Sequence, residues 1–220
     1  MNYTYCSVDV ESSGLDTAND QVLEIAVVLD DLSQSVSREN LEDYLSKLPV
    51  FHCYVKHDRI QGHPYAISKH NRIFNIIAKN PATGLSVEFL NRNVNQFYKD
   101  TEEQKHFILS PNQVYSYLHY FLTNNSLLEN KNKIVGAGKN LGSFDYRILE
   151  TLPGFKEAKN WRFHHKYIDV GPLYLKPTDL EPPSLDECLQ RAGIDKTVDH
   201  TAVGDALDTI RCLKMSRLYS

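Results

Sequence analysis

A chain of 220 residues with 41% hydrophobic and 24% charged residues has the composition of an ordinary globular domain, which excludes a disordered or fibrous chain and a large repeat array. Its formal charge of -4, from 24 basic and 28 acidic residues, argues against coating long nucleic acid through a basic face, since that affinity comes from many Lys and Arg contacts to phosphate. It leaves room for action at one chain end, where a bound divalent ion supplies positive charge that a residue count omits.

The longest apolar run is the five residues 25–29, too short for a membrane span. Residues 1–10 lack the basic start and apolar stretch of a signal peptide, so a cytoplasmic protein with no membrane association is expected. Cysteines at 6, 53, 188 and 212 form no C-x-x-C pair, which points to reduced, half-buried thiols rather than a zinc knuckle or a disulfide framework.

Residues 3–10 are rich in β-branched and aromatic side chains, Ser12-Ser13-Gly14 breaks the run, and residues 22–29 resume it, which predicts a β-hairpin. Leu41, Tyr44, Leu45 and Leu48 recur at helical spacing before Pro49, residues 51–55 fit a third strand, and residues 65–79 fit one helix with Ile67, His70, Phe74 and Ile77 near one face. Residues 80–110 show no clear period. Ser110 and Gln113 form a capping-box pattern ahead of the stripe Val114, Leu118, Phe121 and Leu122, predicting a helix through about residue 123. Residues 134–137 read as a short buried strand, followed by a helix from Ser143 with Phe144, Ile148 and Leu152 on one face, and residues 167–170 as a fifth strand. Ser184 and Glu187 open another helix, and Val203, Ala206, Leu207, Ile210 and Leu213 stripe the last one. Early strands followed by strand, helix, strand, helix predict an α/β fold, a mixed five-stranded sheet flanked by helices.

Chemistry enters at three places. Asp9 and Glu11 sit two apart on the first strand, so both carboxylates project from one face and together call for a cation. With 28 acidic residues such a pair also arises by chance on an exposed edge, but Val8 and Val10 place this one in the sheet interior. Asp145 falls in the first turn of a helix, where an acid also complements the macrodipole. His200 and Asp205 are about 500° apart on a regular helix, so they converge only if His200 lies before the helix and Asp205 one turn inside it. Gly136-Ala137-Gly138-Lys139 superficially suggests a phosphate loop and fails as one, because Lys133 stands where Gly is required and Asn140 where Ser or Thr is required.

Asp9-Val10-Glu11 with Ser12-Ser13-Gly14-Leu15, Leu23-Glu24-Ile25-Ala26, the stretch from Asn140 to Asp145, and His200 to Asp205 together resemble the DEDDh branch of the 3′–5′ exonucleases. That superfamily has a ribonuclease-H-like fold and includes polymerase proofreading subunits, ribonuclease T and oligoribonuclease. Ser12 and Ser13 depart from the usual Thr, and Thr201, standing where the sister branch has Tyr, favours the histidine branch. The resemblance covers residues 1–30 and 130–215 and implies a single exonuclease domain over 1–220, with a poorly matched region of about 31–110 read as an insertion.

The resemblance further implies two Mg²⁺ ions, with Mn²⁺ a substitute, held by Asp9, Glu11, Asp145 and Asp205, and His200 as general base for the attacking water. Ser12, Gly14, Leu15, Asn140 and Phe144 would contact the substrate, with Tyr65, Tyr146, Arg147 and Lys139 as further candidates. The loops His57-Asp58-Arg59 and Gly62-His63-Pro64 could approach the chain end. The implied substrate is the 3′ end of single-stranded DNA, slightly favoured, or of RNA, and the products are nucleoside 5′-monophosphates. Alternatives are an oligoribonuclease-like activity on short RNA, a catalytically silent nucleic-acid-binding or polymerase-accessory module, and a protein that only stores or senses a divalent ion. A polymerase partner or a homodimer is compatible with this reading.

Overall fold

The computed structural model describes residues 4–81, 87–102, 106–125, 133–156 and 163–216. Strands β1 (Thr4–Ser12) and β2 (Val22–Asp31) form the expected antiparallel hairpin, in register from Thr4 opposite Asp31 to Glu11 opposite Glu24. Every position of β2 is buried, which is why its sequence runs nearly unbroken in apolar residues. Strand β3 (Val50–Val55) lies antiparallel on the far side of β2, and the two-residue β4 (Ile108–Leu109) is parallel to β3. On the other flank β5 (Ile134–Gly138) runs parallel to β1, and β6 (Phe163–Asp169) parallel to β5.

The order is β4-β3-β2-β1-β5-β6, six strands where the sequence predicts five. The extra strand, β4, comes from the unreadable stretch 80–110, where two residues are too few to show an alternation. The stretch 31–110 thus supplies β3 and β4 to the common sheet. β6 starts four residues before the predicted position, because it is an edge strand whose exposed His165 and Lys166 dilute the apolar signal.

Side-chain alternation along β1 and β2 separates two apolar layers. Cys6, Val8, Val10, Ile25 and Val27 pack against α6 (Pro111–Asn124) and α7 (Asp145–Leu149), while Tyr5, Ala26 and Val28 pack against α1 (Leu41–Ser46), α8 (Leu185–Arg191) and α9 (Ala202–Ser216). Both predicted capping boxes are present, at Ser110 with Gln113 and at Ser184 with Glu187. All four cysteines are fully buried, free thiols rather than half-buried ones.

Two helices differ from expectation. Residues 65–79 form α2 (Pro64–Lys69) and α3 (Asn71–Lys79), broken at His70 (φ -98°, ψ 25°), whose ring donates to the backbone carbonyl of Ser12, a tertiary contact invisible to periodicity. α7 begins at Asp145 rather than Ser143, because Asn140 adopts φ 60° and residues 140–144 remain in turns. Between β3 and α6 lie α4 (Val87–Leu90) and α5 (Val94–Glu102). Among the described residues no helix is long and apolar enough to cross a membrane.

Since β1, β3, β4, β5 and β6 all point the same way, their carboxyl ends gather at one edge of the sheet. That edge is where open α/β sheets place their ligands.

Candidate metal centre and active site

Asp9 and Glu11 occupy the last two turns of alternation in β1, on the face that α9 covers. Asp205 enters from α9, whose start is set by Thr201: its carbonyl accepts the Asp205 N–H at 2.9 Å and its hydroxyl accepts the Gly204 N–H at 3.2 Å. The result is a set of three half-buried carboxylates, Asp9, Glu11 and Asp205, each offering an oxygen within 4.8 Å of the others. Residues nearly two hundred positions apart meet because α9 packs on the β1–β2 hairpin.

Asp145 lies outside that triple but acts on it. Its buried carboxylate accepts the N–H of Val10, which ties the first residue of α7 to β1 between Asp9 and Glu11.

The electrostatics describe a site short of positive charge. Burial holds the Asp9 carboxyl well above the usual carboxylate range, and the charges of Asp145, Asp205, Glu11 and Glu24 add to the effect. Burial pushes Glu11 up to about 8, with Glu24, Asp205 and Asp145 reinforcing the shift and Arg72 opposing it. Asp145 and Asp205 are each pushed by burial to about 7; Asp208, Asp199 and Glu24 add to the shift of Asp205, against Lys196. Lys196 is already committed to Asp208 at 2.8 Å and Asp199 at 3.1 Å. Near neutral pH the four carboxyls therefore share retained protons unless a cation takes their place.

Two residues beside the site, Glu24 and His70, are given no role by the sequence. Glu24, fully buried on β2, faces Glu11 across the ladder; it bonds His52 Nε2 at 2.7 Å and accepts from Arg72 at 2.5 Å. Burial alone would raise its carboxyl, yet the His52 hydrogen bond and the His52 and Arg72 charges outweigh burial and hold it below the ordinary range. Arg72 also donates to the Tyr54 hydroxyl at 2.8 Å. His70 places Nε2 3.8 Å from Glu11 Oε2. Glu24 is visible in the sequence as one acid within an apolar strand; His70 reads as one more position on a helix face.

His200 fulfils the condition set by its spacing: it precedes α9 in the left-handed region (φ 50°) while Asp205 lies inside the first turn. It is exposed and has no hydrogen bond or ion pair to another described residue.

The remaining candidates are mixed. The buried Ser12 hydroxyl donates to the Gly14 carbonyl at 2.6 Å, closing the turn after β1, and Leu15 is 85% exposed beyond it. Asn140 donates its N–H to Asp169 at 3.1 Å and accepts from Lys139 at 2.7 Å, at the carboxyl ends of β5 and β6. Phe144 packs against the core layer beneath α7, and Tyr146 is buried and stacks on Phe163, so both have structural duties. Tyr65 is exposed at the start of α2, and Arg147 is exposed on α7.

The donor set fits a hard divalent cation. Mg²⁺ and Mn²⁺ take carboxylate oxygen, three such oxygens converge here, and Asp205 Oδ1 is buried with no hydrogen-bond partner among the described residues.

No protein-family model matches the chain, and no curated protein matches it. Solved structures do. E. coli exonuclease I in complex with a dT13 oligonucleotide superposes with a TM-score of 0.55 at 17% identity, covering 98% of this chain and 42% of that one. The zinc-ion-bound form of the E. coli ExoI–ssDNA complex gives 0.58 at 17%, covering 100% and 41%. A moderately thermophilic exonuclease I from Methylocaldum szegediense gives 0.57 at 16%, covering 98% and 40%. The likeness establishes a shared ribonuclease-H-like α/β fold, and this chain spans about two-fifths of the length of those chains.

Proposed function

We propose that the protein is a metal-dependent 3′–5′ exonuclease that hydrolyses single-stranded nucleic acid, DNA in preference to RNA, to nucleoside 5′-monophosphates. The observation that carries this reading is the convergence of Asp9, Glu11 and Asp205, with Asp145 alongside, at the carboxyl edge of the sheet. The fold shared with exonuclease I structures that contain a dT13 oligonucleotide or ssDNA supports it.

In this mechanism Asp9, Glu11 and Asp205 would hold the divalent ions, two Mg²⁺ or Mn²⁺, with Asp145 beside them. Ions bound there would stabilise the attacking and leaving oxygens of an in-line displacement at phosphorus. His200 takes a proton from the attacking water, a task suited to an exposed imidazole placed beside the carboxylates. Its exposed, left-handed position leaves the ring free to approach once a strand end is seated. Leu15 offers apolar surface for the terminal base beside the Ser12–Gly14 turn. Val10 and Arg72 shape the carboxylates from behind, the first by its N–H to Asp145 and the second by its charge near Glu11.

The test is incubation of 5′-labelled single strands of DNA and of RNA, matched in length and sequence, with Mg²⁺ or with chelator. A ladder of products shortened stepwise from the 3′ end, with mononucleotides released, more rapidly on DNA and absent with chelator, is expected. Internal cleavage, or strands left intact with Mg²⁺, would refute the reading.

A further inference from the structure

Along the same sheet edge, the residues that follow β3 and β4 enclose a cleft of about 540 Å³, lined by Lys56, His57, Arg59, Gln21, Gln61 and the start of α6. Lys56 and Arg59 are exposed, and neither makes an ion pair with another described residue. In a chain of net charge -4, two cations left unpaired on one cleft are a local reversal of sign, set against Asp58 as the one acid of the lining. His57 adds shape rather than charge: its Nε2 bonds the Val22 carbonyl at 2.7 Å, and burial lowers its pKa.

The wall of the cleft is fixed to the segment that leaves the carboxylates. Gln21 donates to the Arg59 carbonyl at 3.1 Å and accepts the Gln61 N–H at 2.8 Å. Ser13, two residues beyond Glu11, donates its hydroxyl to the Gln61 carbonyl at 2.5 Å and accepts the His63 N–H at 2.8 Å through its carbonyl. Gly62 packs so closely that a Cβ there would lie 2.3 Å from the Ser13 carbonyl oxygen. The lysine and arginine are therefore carried by a loop anchored to the site, not by a free surface segment. β3 lies two strands from β1, about 10 Å at ordinary spacing. Phosphates recur along a nucleic-acid strand at intervals shorter than that, so a strand ending at the carboxylates reaches the cleft a few nucleotides upstream.

We propose that this cleft holds a backbone phosphate of the substrate strand a few nucleotides upstream of the scissile end, with Lys56 and Arg59 as its partners. The proposal rests on the exonuclease reading and adds to it a subsite that recognises the strand by charge and reach, without regard to base. Binding then strengthens with strand length until the cleft is spanned, and a dinucleotide gains nothing from it.

Fluorescence anisotropy of labelled thymidylate strands, a dodecamer and a dinucleotide, bound by the full chain in chelator over a range of salt, tests this. The double variant Lys56→Gln with Arg59→Gln should weaken dodecamer binding about tenfold, lower the log–log salt slope by about 1.4, and leave the dinucleotide unaffected. The exchange Lys56→Arg with Arg59→Lys should retain dodecamer binding. If the wild type shortens single strands while the glutamine variant binds the dodecamer with unchanged affinity and slope, the cleft assignment fails and the exonuclease reading stands. A wild type that neither binds nor shortens strands fails both. Displacement of the dodecamer by inorganic phosphate at equal phosphate concentration would assign the cleft to a free anion and overturn the strand assignment.

Discussion

Glu24 stands directly opposite Glu11 across the β1–β2 ladder, and the two carboxyls are driven in opposite directions by their surroundings. Glu24, bonded to His52 and Arg72, is held below the ordinary carboxylate range; Glu11, buried beside that fixed charge, is raised to about 8. Like charges opposed on adjacent strands destabilise a sheet, so this pair marks a place where the fold carries a cost that a bound cation would remove.

The first consequence concerns Glu24 itself. Removing its carboxylate leaves buried His52 and the Arg72 guanidinium without their acceptor. Breaking a fully buried pair costs about 3–5 kcal/mol; with the Arg72 side chain 40% exposed, Glu24→Ala should fall toward the low end. Urea denaturation gives the value, and stability equal to wild type would show that the network contributes nothing.

The second concerns pH without metal. Glu11, Asp145 and Asp205 have folded pKa values raised to about 8, 7 and 7. The folded state then retains protons that the unfolded chain has released, so their contribution is complete below the unfolded values near ~4. It is lost as pH rises through 7 to 8. Glu24 has the opposite sign, its contribution being lost only as pH falls below the ordinary carboxylate range. In chelator the melting temperature should decline from pH 5 to pH 8 by about 2–4 °C for each kcal/mol lost, and saturating Mg²⁺ should flatten the decline. A rise over that interval in chelator would contradict the raised values.

The third concerns Asp205. Asp205→Asn removes one charge from the cluster and supplies a donor near its crowded neighbours, so it should raise the melting temperature without metal and reduce the stabilisation that Mg²⁺ gives. For a single intact site that stabilisation is about 2.7 kcal/mol when Mg²⁺ is at ~100 times its Kd. Unchanged melting of the variant in both conditions would separate Asp205 from the ion site.

The fourth concerns His200. As an exposed residue outside the carboxylate triple, it should be dispensable for folding and for metal-induced stabilisation. His200→Ala should nevertheless lower turnover on single strands by about 10²–10⁴-fold, the usual worth of a general base. Turnover near wild type at neutral pH would remove His200 from that role.

Much of this was legible in the order of the residues. The alternation that places Asp9 and Glu11 on one face, the capping boxes at Ser110 and Ser184, and the stripe along α9 are local patterns, and the structure has each of them. The convergence of Asp205 with Asp9 and Glu11 was expected from resemblance rather than from local pattern, because it depends on helix-on-sheet packing across the whole chain. What stayed hidden was tertiary. β4 is a strand only because β3 offers an edge, and His70 breaks a helix because the Ser12 carbonyl lies within reach of its ring. Glu24 carries a buried charge because His52 and Arg72 arrive from other elements.

Calorimetric titration of Mn²⁺ into the wild-type protein and into Asp205→Asn shows whether the three carboxylates hold metal. Saturable binding of up to two ions per chain in the wild type, weakened or reduced to one in the variant, is the expected result. Absence of binding in the wild type, or identical isotherms for the two proteins, would contradict it.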